Sequence, residues 1–179
     1  MSIQELKNPK TDAYLKLKGF ILSNEFSWYW NGTSTHLPED GDKYFNVPFL
    51  SHIFVKRPEE TFRKIPEQPS PISFHVAEVL LEILAHNNID VNFFLRMNAN
   101  CVLPFKKVIS SVPHVDHYYP HKNLLVYLTD AGGKIFAGND VYDPKEDSVI
   151  IFDGVKHYMQ TPEQTSLHVR RVCLIATFT

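Results

Sequence analysis

The chain has 179 residues, of which 44% are hydrophobic and 21% charged, a composition that excludes a disordered protein and favours a globular one. Its 18 basic and 20 acidic side chains give a net charge of -2, whereas a protein held to nucleic acid mainly by phosphate contacts is usually more basic. Two cysteines cannot build a disulfide framework, the N-terminus lacks the apolar core of a signal peptide, and no apolar run approaches the ~18 residues of a membrane span. We therefore expect a cytoplasmic protein that binds neither membrane nor nucleic acid.

The N-terminal half is predicted to supply strands and one helix. Met1–Tyr14 is predicted to be an irregular lead-in, and Gly19–Trp30 a strand, because its apolar positions nearly alternate with polar ones. Asn31–Asp42 consists of turn formers and is predicted to be a loop. Phe49–Lys56 favours another short strand, and Lys56–Pro71, rich in proline and charge, favours a connector with one helical turn.

One long helix is predicted over Pro71–Asn87. Ser70 can cap it, and proline suits the first helical position. Asn87 and Asn88 offer a C-terminal stop. The apolar residues fall on one face at helical spacing: Ile72, Val76, Val79, Leu80, Ile83 and Leu84.

After this helix the hydrophobic period changes from helical to extended. Turn signals at Asp130–Gly133, Gly138–Asp140 and Asp153–Gly154 separate the predicted strands. The strands are predicted over Val91–Pro104, Val108–His117, Asn123–Thr129, Lys134–Phe136, Ser148–Phe152 and Val169–Phe178. Many short strands in series predict an all-β sandwich or barrel, here with a helix packed on one sheet.

The segment Pro113–His117 carries a candidate metal site at the end of a predicted strand. His114 and Asp116 are two residues apart, so their side chains project to the same side of a strand, whereas His117 projects to the other. His157, which follows an apolar strand and a tight turn, is a candidate third ligand. Two histidines and one carboxylate on one face of an octahedral ion are typical of non-haem Fe(II) oxygenases. A His-x-Asp pair alone is a weak signal, and a surface hydrogen-bonding pair is the alternative.

The span from about Val91 to Thr179 resembles the catalytic core of the Fe(II)- and 2-oxoglutarate-dependent dioxygenases. The nearest branch is the prolyl-hydroxylase-like group, including its short phage members. The matching pieces cover about half of the chain, and their order is more specific than any one of them. In chain order they are His114-Val-Asp116, Leu124–Thr129, Gly132–Phe136, Val149–Gly154, His157 and Arg171–Phe178.

The resemblance implies a mainly β fold, the double-stranded β-helix, which is a cupin-like jelly roll of two sheets. It implies one domain over residues 1–179, in which residues 1–90 supply strands and the supporting helix and residues 91–179 form the catalytic core. It also implies that His114, Asp116 and His157 bind Fe(II), with 2-oxoglutarate and O₂ as co-substrates.

A further implication is a basic residue on the last strand that binds the far carboxylate of 2-oxoglutarate. Arg170 and Arg171 compete for this role, and we favour Arg171, because the family often has Arg-x-Ser and Cys173 occupies the serine position here. Arg170 would share its strand face with less polar residues. Tyr127 matches a family position whose phenol reaches the same carboxylate, and plain core packing is the alternative for it.

Several other polar residues flank these motifs. His121 lies in a loop and is expected to line the entrance of the site. Arg96, Asn98 and Asn100 alternate along a predicted strand and so share a face, which lines the pocket or forms a solvated edge. Gly132-Gly133 is predicted to be a turn that needs positive φ. The remaining histidines are expected on the surface or a helix face: His36, His52, His75, His86 and His168.

The leading hypothesis is an oxygenase that decarboxylates 2-oxoglutarate and hydroxylates a C–H bond of an unidentified substrate. The short chain leaves little room for an insert over the site, which favours a peptide or protein side chain, with a small molecule as the other option. A metal-binding jelly roll without activity is one alternative, although it would not need the basic residue on the last strand. A nucleic-acid demethylase is another, but that branch carries a second arginine where this chain has Thr177 or Ala176.

Overall fold

The computed structural model describes residues 3–33, 43–164 and 170–179. Over these residues the chain forms ten strands and two α-helices, α1 (Asp12–Leu22) and α2 (Ser73–His86), with one 3-10 turn at Pro58–Glu60. The strands are β1 (Gln4–Leu6), β2 (Tyr29–Asn31), β3 (Phe49–Val55), β4 (Phe94–Val102), β5 (Lys122–Tyr127), β6 (Ile135–Ala137), β7 (Asp140–Tyr142), β8 (Val149–Asp153), β9 (His157–Met159) and β10 (Arg171–Phe178).

The strands form two antiparallel sheets. The larger sheet has the order β1-β8-β5-β10-β4-β3-β2, and the smaller has the order β7-β6-β9. Together they form the double-stranded β-helix that the sequence predicts. The first three strands extend both edges of the larger sheet, since β1 pairs with β8 and β3 with β4, so both halves of the chain share it. The prediction of one domain with a division near residue 90 stays a prediction.

The central strand β10 shows how the two packed layers arise. Successive side chains of a strand point to opposite faces, and every second residue of β10 is apolar. The residues in the core between the larger sheet and the helices are Val172, Leu174, Ala176 and Phe178. The opposite face, toward the smaller sheet, carries Arg171, Cys173, Ile175 and Thr177. One strand therefore supplies both the hydrophobic core and one wall of the space between the sheets.

The first helix was not predicted. The sequence indicates an irregular lead-in over Met1–Tyr14 and a strand over Gly19–Trp30, and both predictions are wrong. The first segment contains β1 and the start of α1, and the second contains the end of α1 and reaches a strand only at Tyr29 and Trp30. The side chain of Thr11 accepts a hydrogen bond from the Tyr14 amide at 3.2 Å and caps α1. Phe20 and the later aromatic residues Phe26, Trp28 and Trp30 all occupy even-numbered positions, and this strand-like spacing concealed the helical spacing of the apolar residues in α1. The buried face of α1 follows that period: Tyr14, Leu17 and Ile21.

The predicted second helix is confirmed, with a later start. α2 begins at Ser73 rather than Pro71, and Ser70 does not cap it through its side chain. Instead, the Ser73 hydroxyl lies 2.5 Å from the carbonyl oxygen of Ser70 and 2.7 Å from that of Phe54. The predicted face is buried against α1 and the larger sheet: Val76, Val79, Leu80, Ile83 and Leu84.

The segment before the predicted metal ligands is not a regular strand. The sequence predicts a strand over Val108–His117, but this backbone makes only isolated bridges within the described residues, including Ser110 to Gln160 and His114 to His157. A segment with alternating polarity can be extended without pairing to a neighbouring strand along its length. The alternation therefore predicted correctly which way the side chains point, but not that the segment joins a sheet.

The predictions for one loop and for two of the histidines fall on residues outside the described ranges. The predicted loop over Asn31–Asp42 falls mainly on residues 34–42, and His36 and His168 also lie outside the described residues. Across the described ranges, no helix is long and apolar enough to cross a membrane. The predicted cytoplasmic location stays a prediction.

Candidate metal and co-substrate site

A cavity of about 320 Å³ opens between the two sheets, lined by the inward faces of β4, β5, β6, β9 and β10 and by the segments that join them. The charged side chains of its lining are Arg57, Arg96, Asp116 and Arg171. The remaining wall is largely apolar and includes Phe49, Val102, Leu125, Ile135, Met159 and Ile175. A concavity that combines apolar walls with convergent polar groups is typical of a small-molecule site.

The three predicted metal ligands converge in this cavity. One donor atom each from His114, Asp116 and His157 lies within 4.8 Å of the others. Asp116 Oδ2 is 3.4 Å from His157 Nε2, and the two imidazole rings have centroids 4.5 Å apart. Asp116 and His157 are buried, while His114 is half-buried. Two imidazoles and one carboxylate at this spacing suit a divalent transition metal with open positions.

A short backbone bridge holds the two histidines side by side. The His114 amide donates to the His157 carbonyl, and the His157 amide donates to the His114 carbonyl, both at 2.9 Å. Asp116 follows His114 by two residues, so its side chain reaches the same cavity, as the strand-face argument predicts. The irregular segment therefore positions its side chains as a strand would.

The hydrogen bonds of the imidazole rings define which nitrogen faces the centre. His114 Nδ1 lies 3.2 Å from the carbonyl oxygen of Val112, and His157 Nδ1 lies 2.9 Å from that of Val155. A carbonyl only accepts, so each Nδ1 carries the proton and each Nε2 keeps its lone pair for a metal. Burial, together with the neighbouring His157, lowers the pKa of His114 to about 4, so this ring is neutral at neutral pH.

Two arginines hold the carboxylate of Asp116, whose side chain is almost fully buried. Arg96 Nη1 donates to Asp116 Oδ1 at 2.7 Å. Arg57 donates to the same oxygen at 3.4 Å and to the Asp116 carbonyl at 3.2 Å. Burial alone would raise the pKa of Asp116, but the Arg96 cation beside it holds that pKa well below its usual value. The sequence left the face of Arg96 open between pocket lining and solvated edge, and Arg96 lines the cavity. Arg57 was not predicted, because it comes from the irregular connector and carries no local signal.

Arg171 and Tyr127 meet at another wall of the cavity. Arg171 is 5% exposed, and its Nη2 donates to the Tyr127 hydroxyl at 3.2 Å. Its Nη1 contacts the sulfur of Met159, and its buried Nε has no partner among the described residues. No described carboxylate forms an ion pair with this guanidinium. A buried cation without a counter-charge is costly, so this arrangement suits an anionic ligand.

The two competing arginines of the last strand lie on opposite sides of the sheet. Arg171 lines the cavity, whereas Arg170 Nη2 donates to the carbonyl of Leu22 at the end of α1, at 2.9 Å. Cys173 lies in the cavity lining on the same face as Arg171, and burial raises the pKa of its thiol to about 12. The thiol is therefore neutral, and the structure places it beside Arg171 as the Arg-x-Cys spacing predicts.

Two asparagines, Asn100 and Asn123, line the cavity, and Asn98 lies on the same face of β4 as Asn100. Asn100 lines the cavity, and its Oδ1 accepts from Asn98 Nδ2 at 2.5 Å, so the predicted pocket face of β4 is confirmed over its solvated-edge alternative. Asn123 was not predicted. It is fully buried, lines the cavity, and neither atom of its amide has a partner among the described residues. Alternation along β5 with Leu125 and Tyr127 is the signal that could have found it.

Two other nearby histidines stay outside the metal cluster. His117 Nδ1 lies 2.9 Å from Glu59 Oε1, and its Nε2 lies 2.8 Å from Thr177 Oγ1, so both nitrogens are used elsewhere. His121 does not line the entrance, and that prediction is wrong. Its ring is buried against Gly154 and His117, and it fills the space that a side chain at position 154 would need.

Two glycine turns position the strands that carry site residues. Gly132 and Gly133 have φ of +68° and +84°, which confirms the predicted need for positive φ at these positions. A Cβ on Gly154 would lie 2.3 Å from His121 Cε1, and the Gly154 amide donates to the His121 carbonyl at 2.8 Å. This turn leads from β8 directly to His157, so its close packing fixes where that ligand enters the cavity.

Neither a protein-family model nor a curated protein matches the chain. Among solved structures, it is similar to a 2OG-Fe(II) oxygenase family oxidoreductase from Burkholderia pseudomallei, with a TM-score of 0.68 and 13% identity over 99% of this chain and 85% of that one. It is similar to AviO1 from Streptomyces viridochromogenes Tue57, with a TM-score of 0.54 and 14% identity over 99% and 89% of the chains.

A third similar structure is a prolyl hydroxylase from Trichoplax adhaerens, solved with a peptide fragment of the hypoxia-inducible factor oxygen degradation domain. Its TM-score is 0.52, with 9% identity over 99% of this chain and 83% of that one. The predicted relation to short phage members stays a prediction. At these identities the similarity concerns architecture, and the chain has the double-stranded β-helix fold of the 2-oxoglutarate- and Fe(II)-dependent oxygenases.

Proposed function

We propose that the protein is an Fe(II)- and 2-oxoglutarate-dependent oxygenase. The observation that carries this proposal is the presence, in one cavity, of a two-histidine, one-carboxylate cluster and a buried arginine that has no acidic partner within residues 3–33, 43–164 and 170–179. The first suits a divalent metal with open positions. The second, Arg171 with Tyr127, suits the far carboxylate of a dicarboxylic acid. The shared fold supports the same conclusion.

In this proposal His114 and His157 bind Fe(II) through Nε2, and Asp116 binds it through a carboxylate oxygen. When bound, Fe(II) would supply O₂ activation coupled to decarboxylation of 2-oxoglutarate to succinate and CO₂, with one oxygen atom entering succinate and the other the substrate. Arg171 and Tyr127 orient the co-substrate by hydrogen bonds, and Cys173 packs beside them as a neutral thiol. The apolar wall restricts water around these charges, which strengthens each electrostatic contact.

The class of reaction is proposed to be hydroxylation of a C–H bond. One solved structure of this fold is a prolyl hydroxylase with a bound peptide, which supports a peptide or protein side chain as one substrate class. A small molecule is the other class that the cavity admits. Arg57 and Arg96 lie on the more exposed side of the metal cluster, with side chains 23% and 19% exposed, so the substrate approaches along them.

The alternative functions receive less support. A metal-binding module without catalysis has no use for a buried arginine such as Arg171, which pairs with none of the described carboxylates, in the same cavity. A demethylase of the nucleic-acid branch would need a second arginine further along β10. Thr177 is instead buried against His117, and Ala176 packs in the core beneath the helices.

Turnover of 2-oxoglutarate tests the proposal. Purified protein with Fe(II) and O₂ is incubated with panels of peptides, free amino acids and nucleotides, and succinate formation is measured. We expect Fe(II)-dependent succinate formation that one panel stimulates and that Asp116→Ala abolishes. Tight Fe(II) binding without any binding of 2-oxoglutarate would favour the non-catalytic module instead.

A further inference from the structure

We propose that the primary substrate carries a carboxylate group and that Arg57 and Arg96 bind it at the mouth of the cavity. This inference rests on the proposed function and adds the chemical class of the substrate. Two guanidinium groups, those of Arg57 and Arg96, converge on the single carboxylate of Asp116, so positive charge exceeds negative charge at this point. One such cation would satisfy that carboxylate in a buried pair.

The charges of the cavity leave room for one anion. The lining carries three arginines and one aspartate. Within the part of the chain that the structure describes, one further carboxylate pairs with these arginines, that of Glu60, 3.3 Å from Arg57 Nε. These groups sum to +1 (three positive, two negative). A divalent metal and doubly charged 2-oxoglutarate cancel each other, so the loaded cavity keeps this single positive charge. A monoanionic carboxylate neutralises it.

The two arginines also have hydrogen-bonding capacity left. A guanidinium has five N–H donors, and Asp116 takes one from Arg96, on Nη1. Arg57 directs both of its terminal nitrogens toward Asp116, at the longer distances of 3.2 and 3.4 Å. Its remaining partner, Glu60, has a side chain 49% exposed, so solvent weakens that pair. A planar guanidinium grips a carboxylate through two parallel hydrogen bonds, which a lysine cannot reproduce.

The position of this pair fits a substrate rather than the co-substrate. Arg57 and Arg96 touch Asp116 Oδ1, while Oδ2 of the same group faces His157. A carboxylate bound there places the neighbouring carbons of its molecule beside the metal ligands. Arg171, the proposed co-substrate anchor, is far more buried. The apolar part of the lining, which includes Phe49, Ile135 and Ile175, offers a surface for the rest of the substrate.

Calorimetric titration of protein loaded with Mn(II) and 2-oxoglutarate tests the inference, because Mn(II) supports binding without turnover. N-acetyl amino acids with a free α-carboxylate are compared with their N-methylamides. That comparison is the first arm and tests an α-carboxylate. The second arm tests a side-chain carboxylate by comparing N-acetyl-aspartate N-methylamide with the asparagine equivalent, and the third arm tests inorganic phosphate. We expect a free carboxylate, in one of the first two arms, to bind about ten-fold more tightly than its uncharged partner, the order of one charge-assisted contact.

Arg57→Gln should remove this preference, and Arg57→Lys should restore only part of it. Arg63→Gln is the matched control, because Arg63 is an exposed arginine of the same connector outside the cavity lining, and it should keep the preference. Titration of Mn(II) and then 2-oxoglutarate comes first in every variant. Failure of wild-type protein at this stage would contradict the proposed function itself.

The remaining outcomes concern the substrate alone. If wild-type protein binds metal and co-substrate but binds each amide as tightly as its acid, or binds no acid saturably at tens of millimolar, the carboxylate proposal is overturned and the oxygenase proposal stands. A preference for phosphate that Arg57→Gln removes would also overturn it, in favour of a phosphorylated ligand. A carboxylate preference that survives Arg57→Gln would show that other residues bind the anion.

Discussion

Nη1 of Arg96 lies 2.7 Å from Oδ1 of Asp116, while Oδ2 of the same carboxylate faces Nε2 of His157 at 3.4 Å. The two oxygens therefore have different surroundings, one against an arginine and one against the imidazole cluster. In a metal complex, Oδ2 is free to bind the ion while Oδ1 keeps its hydrogen bond. Such outer partners orient a ligand and are part of how a metal site is held.

Removal of a cluster side chain should remove the metal. His114→Ala or Asp116→Ala leaves two donors where the site needs three, so we expect stoichiometric Fe(II) binding to be lost in anaerobic equilibrium dialysis. Thermal melting of each apoprotein checks that the fold persists.

His117→Ala is the contrasting variant, and it should keep Fe(II) binding. His117 directs both ring nitrogens to Glu59 and Thr177 rather than to the cluster, so its loss should lower the melting temperature and leave the metal stoichiometry unchanged. Metal loss in His117→Ala together with retention in Asp116→Ala would refute the assignment of the ligands.

Arg171→Ala should weaken 2-oxoglutarate binding selectively. Removal of one partner from a sheltered, two-point charge pair costs about 2–4 kcal/mol, on the order of 30- to 1000-fold in affinity. Fe(II) affinity without the co-substrate should hardly change, because Arg171 is not a ligand. Titration of 2-oxoglutarate into iron-loaded, oxygen-free protein measures the effect. Arg170→Ala, on the opposite face against Leu22, should bind 2-oxoglutarate like the wild type, and equal losses in the two variants would contradict this division of roles.

Tyr127→Phe isolates the contribution of one hydroxyl. The phenol is fully buried and accepts from Arg171, so its loss removes a hydrogen bond and changes little of the packing. We expect 2-oxoglutarate affinity to fall by about 1 kcal/mol, or roughly five-fold. No change in affinity would support the core-packing alternative for Tyr127.

Asp147 should make stability depend on pH in acid. Although burial alone would raise it, hydrogen bonds from Lys10, Lys18 and Tyr14 lower the pKa of Asp147 to about 2. A carboxyl with a depressed folded-state pKa contributes stability that is present above its unfolded value near 3.8 and is lost as pH falls toward 2. We expect this contribution to be about 1–2 kcal/mol after allowance for its partial exposure.

Urea unfolding of Asp147→Asn between pH 7 and pH 2 measures this contribution. Asparagine tolerates the positive φ of +65° at this position, so the substitution removes the charge without new backbone strain. The stability difference from wild type should be constant above pH 5 and shrink below pH 4. Asp143→Asn, at an exposed site nearby, is the control and should show little difference at any pH.

Gly154→Ala should damage both stability and the metal site. The added Cβ would meet the His121 ring, which is itself buried, so we expect a loss of about 1–3 kcal/mol and weaker Fe(II) binding through displacement of the turn that leads to His157. Gly19→Ala provides the opposite case. Gly19 lies on the exposed side of α1 with nothing within 4 Å of the new Cβ, so it should gain about 0.5–1 kcal/mol. Comparable destabilisation of both variants would contradict the steric argument.

The sequence predicted the local relationships well and the distant ones poorly. His114 and Asp116 are two residues apart, and Arg171 and Cys173 likewise, so strand alternation alone was enough to place each pair on one face. Arg57 reaches Asp116 across 59 residues from an irregular connector, and no periodicity marks such a contact. The helix α1 was missed for a different reason, since its aromatic residues suit a strand as well as a buried helix face, and only packing against α2 decides between them.

The location of β10 between β4 and β5 gives the cavity two mechanically different sides. A central strand has both rows of backbone amides in ladders, and such strands open only with the whole domain, so the side that holds Arg171 and Cys173 should exchange its amide hydrogens slowest. Arg57 stands on a connector joined to the rest by a few hydrogen bonds. The wall that anchors the co-substrate is thus stiff, whereas the proposed substrate side combines Arg96 on the doubly paired strand β4 with Arg57 on the connector. One of its two arginines is therefore held in place while the other can adjust to the incoming molecule.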